Sequence, residues 1–320
     1  MRRQRPPRPL PNTAMSAILL GVLPVFAMIA LGWGLKASKF IPEVSWPPIE
    51  RLTYFVFYPG FLMPAVWKAD FGSLSAGPLA IGTVGGMATV ALVALLAKPL
   101  IRIPDPAYTS VFQGCLRWNT FVFLPLAALV FGPEGAGLGA MIMGALIPAI
   151  NVICVLVMSK WGEGQGGGLR TALRGLAQNP VLWGCAVGAL FNVLKVPQWP
   201  VLMSTIDLLS TAALTMGLVV AGAGLSFAYV HSRRWLIASV SAVKLLVLPV
   251  LMWGLCRLAG GDETAQGVAL LVGSAPGAAA SYVLARQMGG DAPLMAGIVA
   301  FTTAASLVTI PLLLMVFHVR

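Results

Sequence analysis

The sequence predicts an all-α integral membrane protein of ten transmembrane helices in two five-helix halves. Three observations predict it. The 320 residues are 58% hydrophobic and only 10% charged, with a mean hydropathy of +0.88, whereas a soluble domain carries about 25% charged residues. The apolar residues come in runs of roughly 20, the length that crosses ~30 Å of hydrocarbon as helix. Polar residues collect in short connections, and no long hydrophilic domain exists. Lipid is therefore the solvent for most of the chain.

Ten spans follow in order, roughly 16–35, 52–67, 75–97, 107–130, 136–159, 180–195, 200–225, 235–256, 263–286 and 294–317. The sixth is short, and the fourth and ninth are interrupted by Asn119, Pro125 and Pro276. The longest hydrophilic connection, Lys160 to Asn179, divides the chain into halves at 15–160 and 180–320, with 161–179 as linker and 1–14 as a basic extension. Pro24 to Pro125 covers 125 − 24 = 101 residues, and Pro180 to Pro276 covers 276 − 180 = 96. The halves thus read as copies, and an odd number of spans per copy inverts the second relative to the first. Inverted repeats with broken helices in matching places are a transporter pattern, and the breaks mark the binding site.

The net charge of +11 is a topology signal and not a nucleic-acid surface. Lys36, Lys39, Arg51, Lys98, Arg102, Lys160, Arg170, Arg174, Arg233, Arg234 and Arg286 fall on one side. Only Lys68, Lys195, Arg257 and Arg320 fall on the other, apart from Arg2, Arg3, Arg5 and Arg8 at the N-terminus. The linker 161–179 is then cytoplasmic and both termini lie outside. The N-terminal cluster opposes that orientation, which a true start at Met15 would explain.

Several chemistries are excluded. Cys115, Cys154, Cys185 and Cys256 lie inside apolar runs without a CxxC, and read as buried hydrophobes and not as metal ligands or disulfides. Gly162-Glu-Gly-Gln-Gly-Gly167 matches GxGxxG without a preceding strand, so it reads as linker, with a short amphipathic helix following near Leu169–Ala177. His231 and His318 stand at span ends, and HExxH, GxSxG and P-loop patterns are absent. No cofactor and no catalytic residue is expected, so the chain does not read as an enzyme.

Three charges do fall within spans: Arg117, Asp207 and Lys244. Each costs at least ~2.5–3.5 kcal/mol to insert and needs a partner or a wet cavity. Asp207 and Lys244 reach similar depths in consecutive antiparallel spans, which predicts an ion pair or, less simply, a proton relay. Arg117 lies about 15 Å deep, in Arg117-Trp-Asn-Thr-Phe-Val-Phe-Leu-Pro125. Pro125 lacks an N–H and crowds the carbonyl of Phe121, so backbone groups around Asn119–Phe121 are expected to be free for a ligand. Arg117, Asn119 and Thr120 suit a carboxylate. The matching break, Gly273-Ser-Ala-Pro-Gly-Ala-Ala-Ala-Ser281, contributes Ser274, Pro276 and Ser281, with small residues that allow a close crossing.

At these residues the chain resembles the auxin efflux carrier family, in its bacterial branch. The resemblance is carried by Leu23-Pro24, Gly60-Phe-Leu-Met-Pro64, Arg117-Trp-Asn-Thr120 with Pro125, Asn179-Pro180, Ser274-Ala-Pro-Gly-Ala-Ala-Ala-Ser-Tyr-Val-Leu-Ala-Arg286 with Gly289-Gly-Asp291, and Thr309-Ile-Pro311. It implies two inverted five-helix repeats whose fourth and ninth helices cross, a homodimer in the plasma membrane (for a bacterium, the inner membrane), and elevator-type transport of a small organic anion such as a carboxylate. It also implies that the Asn119 amide meets the substrate carboxylate. The more distant bile acid:sodium symporters share that architecture with an acidic residue in the ninth span, which this chain lacks between Glu263 and Asp291. A membrane receptor or scaffold that binds the same ligand without flux is the other reading.

Overall fold

The computed structural model describes residues 11–68, 76–163, 177–178, 180–228, 230 and 233–317, and among them every regular element is helical. The expected amphipathic turn near Leu169–Ala177 lies almost wholly outside the described residues, as do the N-terminal arginines, His231 and His318. In chain order the helices are α1 (Pro11–Ala37), α2 (Trp46–Leu52), α3 (Tyr58–Trp67), α4 (Ala76–Ala97), α5 (Asp105–Leu116) and α6 (Thr120–Trp161). They continue as α7 (Pro180–Val193), α8 (Pro200–Ala223), α9 (Arg234–Ala242), α10 (Leu248–Leu258), α11 (Glu263–Ser274), α12 (Ala279–Met288) and α13 (Ala292–Val316).

Among the described residues, five helical stretches are long and apolar enough to cross a bilayer: Ala76–Ala97, Asp105–Trp161, Pro200–Ala223, Arg234–Leu258 and Ala292–Val316. Leu23–Ala37 and Leu182–Val193 are apolar but shorter. These lengths and compositions make the chain a multi-pass membrane protein.

Proline and glycine punctuate the helices. One π-helical turn, Thr53–Phe57, joins α2 to α3, and another, Val243–Val247, joins α9 to α10. Each precedes a proline, Pro59 and Pro249, whose missing N–H leaves the carbonyl four residues back (Phe55, Leu245) without its helical donor. The wider turn absorbs that gap without ending the helix. The 42 residues of α6 would extend roughly 63 Å if straight, about twice the hydrocarbon thickness. Gly132, at φ 62 and ψ −152, kinks the chain there, in a backbone region open to glycine and costly for residues with a Cβ.

The helices pack in two groups. α1, α2, α3, α7 and α8 lie against one another, while α4, α5, α6 and α9 to α13 form the second group, and the groups meet mainly along α6. Small residues set the spacing in the first group. A Cβ added to Gly32 would strike the backbone carbonyl of Val219, and one on Gly222 that of Ile29, so α1 and α8 cross backbone to backbone. All four cysteines are buried and free, as small core hydrophobes.

Gly222→Leu is therefore predicted to force α1 and α8 apart at a cost of about 1–3 kcal/mol or more. Gly34→Ala, with nothing within 4 Å of its added Cβ, should leave stability unchanged or slightly raised. Thermal unfolding of the two variants in detergent checks the pair.

Candidate functional site: two broken helices in contact

Two helices are interrupted well inside the molecule. α5 ends at Leu116, Arg117 turns extended (φ −73, ψ 142), and Asn119 (φ −85, ψ 105) starts α6. α11 ends at Ser274, Ala275 is extended (φ −61, ψ 136), and Ala278 (φ −81, ψ 134) starts α12. The second break has a local cause, because the residue before a proline is driven out of the helical region and Ala275 precedes Pro276.

The first break differs from the sequence expectation. Pro125 lies buried inside α6, five residues after its first residue, and the helix is already regular there. The interruption sits at Arg117–Asn119, upstream of the carbonyl that Pro125 crowds. Asn119 is its local cause: the side-chain Oδ1 accepts the N–H of Phe121 at 2.9 Å, which caps α6 and competes with helix continuation.

The two breaks touch. The backbone N–H of Asn119 donates to the carbonyl of Pro276 at 2.7 Å, so each break satisfies a group that the other leaves free. Gly277 N–H donates to Thr302 Oγ1 at 3.0 Å, and Trp118 Nε1 donates to Met143 Sδ at 3.0 Å. At the Asn119 and Gly277 N–H groups tertiary partners thus replace helical ones, as a low-dielectric interior requires.

The expected site residues fall in distinct surroundings. Asn119 is 4% exposed, with Oδ1 committed to the cap. Arg117 is half-buried; its guanidinium lies near the Cys154 thiol and Tyr54, while Nη1 is buried without a hydrogen-bond partner among the described residues. Thr120 is half-buried at the first turn of α6. Ser274 is buried, and its Oγ donates back to Leu271 O at 3.4 Å, within its own helix. Ser281 is fully buried on the first turn of α12, its Oγ without a partner among the described residues.

Asp207 and Lys244 do not come together. The Asp207 carboxylate is exposed and lies 3.7 Å from Lys68, while the fully buried Lys244 donates through Nζ to the carbonyl of Gly273 at 2.6 Å. Depth matching along two helices was not enough, because the two are not packed against each other: α8 lies in the first group and the π-turn of Lys244 in the second. Asp207 points outward, and the π-turn carries Lys244 towards α11.

Three contributors were not legible as site residues. Tyr58 is buried with a hydroxyl that has no hydrogen-bond partner among the described residues and packs edge-on against Phe121, with ring centroids 4.6 Å apart; Gly217 leaves room for it, since an added Cβ would stand 2.6 Å from its oxygen. Phe121 also meets Tyr54 at 6.4 Å. Thr302 is a threonine in an apolar span, with no sequence signal beyond that. Phe121 also forms part of the wall of a cavity of about 220 Å³ bordered by Lys36, Glu43, Trp46 and Glu50 near the end of α1, and by Val220, Ala221 and Gly224 of α8. The cavity therefore runs from charged residues at one end of the bundle to a ring two residues from Asn119, between the two packing groups. Thr302→Val should leave the Gly277 N–H without its acceptor and cost about 1–3 kcal/mol. Thr302→Ser should keep most of the stability, as read by thermal unfolding.

Comparison with known proteins agrees with a membrane carrier. Over 293 residues, 91% of this chain and 95% of the relative, the chain is 23% identical to an "Uncharacterized transporter" of Methanothermobacter thermautotrophicus. The auxin-carrier resemblance rests on the quoted motifs alone. Residues 208–319, which include the second break, match the family model of the sodium bile acid symporter family.

Proposed function

We propose that the chain is a secondary transporter of a small organic anion, a carboxylate, moved by elevator-type alternating access. The observation that carries the reading is the contact of the two breaks, Asn119 N–H to Pro276 O at 2.7 Å, beside the unpartnered Nη1 of Arg117. Half-helices that start inside the hydrocarbon direct partial positive charge at their N-termini towards a bound anion. Arg117 adds a full charge, Asn119 and Thr120 add neutral donors, and the cavity ending at Phe121 supplies a path from the Lys36 end. The match to a symporter family and the relative named as a transporter support the same class.

A constant register supports ten spans in two inverted repeats. Asn119 and Ala278 each start a half-helix, and 278 − 119 = 159. The same offset relates Trp118 to Gly277 and Met143 to Thr302, and each of those hydrogen-bonded pairs is separated by 25 residues. It also takes Pro133, after the Gly132 kink, to Ala292 at the start of α13. In this register Arg117, and not Pro125, stands opposite Pro276. The two packing groups support an elevator: α4 to α6 and α9 to α13 hold both breaks and would move against α1 to α3, α7 and α8. The excess of Lys and Arg supports a cytoplasmic Lys36 end and linker with the termini outside, and the plasma membrane goes with the carrier reading. The homodimer comes with the auxin-carrier resemblance.

Uptake of labelled malonate, malate and indole-3-acetate into proteoliposomes tests the reading. Saturable flux of one of them is expected in the wild type, reduced at least tenfold in Asn119→Ala. Ligand-dependent thermal stabilisation of well-folded protein without flux would replace the transporter by a receptor or scaffold that binds the same anion.

A further inference from the structure

Lys244 is the one lysine among the fully buried residues described, at 0% exposure, and it forms no ion pair among the described residues. Its partner is a backbone carbonyl, Gly273 O, at 2.6 Å. In an unbroken helix that carbonyl would accept the N–H of Gly277, four residues on. Here the Gly277 N–H has turned to Thr302, so the ammonium occupies the vacated position at the C-terminus of α11, where the helix carries partial negative charge.

Among the described residues of the elements packed around it, no acidic side chain lies at that depth; Arg117, two residues past Cys115, is a second cation there. The π-turn bearing Lys244 packs against α5, α9, α10, α11 and α13. α5 presents the Cys115 thiol, which interacts electrostatically with Lys244. Asp105 and Glu263 begin α5 and α11 ten residues before Cys115 and Gly273, roughly 15 Å away along each helix. Arg234 and Arg257 stand at the far ends of α9 and α10, and α13 carries no charged residue. The backbones also converge, since an added Cβ on Gly273 would overlap Pro249.

We propose that Lys244 is a tethered cation. Its ammonium fills, from within the chain, a monovalent-cation position at the broken end of α11, and it positions Ala275–Pro276, whose carbonyl receives Asn119. The crossing then holds its geometry without a dissociable alkali ion. The assignment builds on the crossing as the functional centre, but its test uses no substrate, so it stands or falls independently of flux.

Hydrogen exchange of the full-length protein in detergent, followed by mass spectrometry over residues 273–281, gives the readout. Lys244→Met keeps the length and drops the charge, and should speed exchange in this segment about tenfold, in line with the loss of a charged hydrogen bond, while α1 and α8 are unaffected. Lys244→Ala should behave alike and be restored by n-propylammonium, which replaces the missing atoms, but not by n-propanol. Wild-type exchange should be equal in sodium and choline chloride. Unchanged exchange in Lys244→Met, restoration by n-propanol as complete as by the ammonium, or sodium-dependent protection of the wild type would each overturn the proposal. If Lys244→Ala does not fold, Lys244→Met and the sodium comparison decide it.

Discussion

A backbone hydrogen bond between two interrupted helices, from Asn119 to Pro276, is the contact on which the interior depends. Helix breaks inside hydrocarbon leave N–H and C=O groups that water cannot reach, and each unpaired group costs several kcal/mol. Placing two breaks face to face lets them satisfy each other. Thr302, Lys244 and the Asn119 side chain take up further freed groups. The crossing is therefore a connected polar network inside an apolar bundle, and such networks specify geometry strongly because a missing member leaves a costly orphan.

The charges follow the same logic. Lys68 and Asp207 are exposed and pair weakly at 3.7 Å, as surface ions do. Lys244 is buried and sits on a helix C-terminus, where the dipole partly compensates it. Arg117 lies between these cases: it is half-buried near Cys154, and its Nη1 is buried without a hydrogen-bond partner among the described residues. A buried donor without an acceptor is unfavourable, so Arg117 is less well compensated than Lys244, whose ammonium has a carbonyl partner.

Much of this was legible in the sequence and some was not. Interruptions were expected at Asn119, Pro125 and Pro276; the chain breaks at Arg117–Asn119 and Ala275–Ala278, and the two breaks meet. Pro276 is read correctly because its effect on Ala275 is local. Pro125 is misread because proline is tolerated in a membrane helix once neighbours satisfy the freed carbonyl. The pairing of Asp207 with Lys244 failed because depth is a one-dimensional quantity, and helices consecutive in sequence need not be neighbours: α8 and the π-turn of Lys244 pack in different groups. Thr302 and Tyr58 carried no signal, because a lone Thr or Tyr in an apolar run has many possible partners.

By itself the sequence determined the solvent, the helical class and the interruptions at Asn119 and Pro276, though not that the helix continues through Pro125. Those three follow from apolar run length, from backbone hydrogen bonding in lipid and from the local stereochemistry of proline and asparagine. Only the tertiary structure decided which carbonyl receives which donor. Those partners lie 25 to 157 residues apart, as with Gly277 and Thr302 or Asn119 and Pro276, and their meeting depends on helix rotation and crossing, which side-chain packing sets and local sequence does not encode.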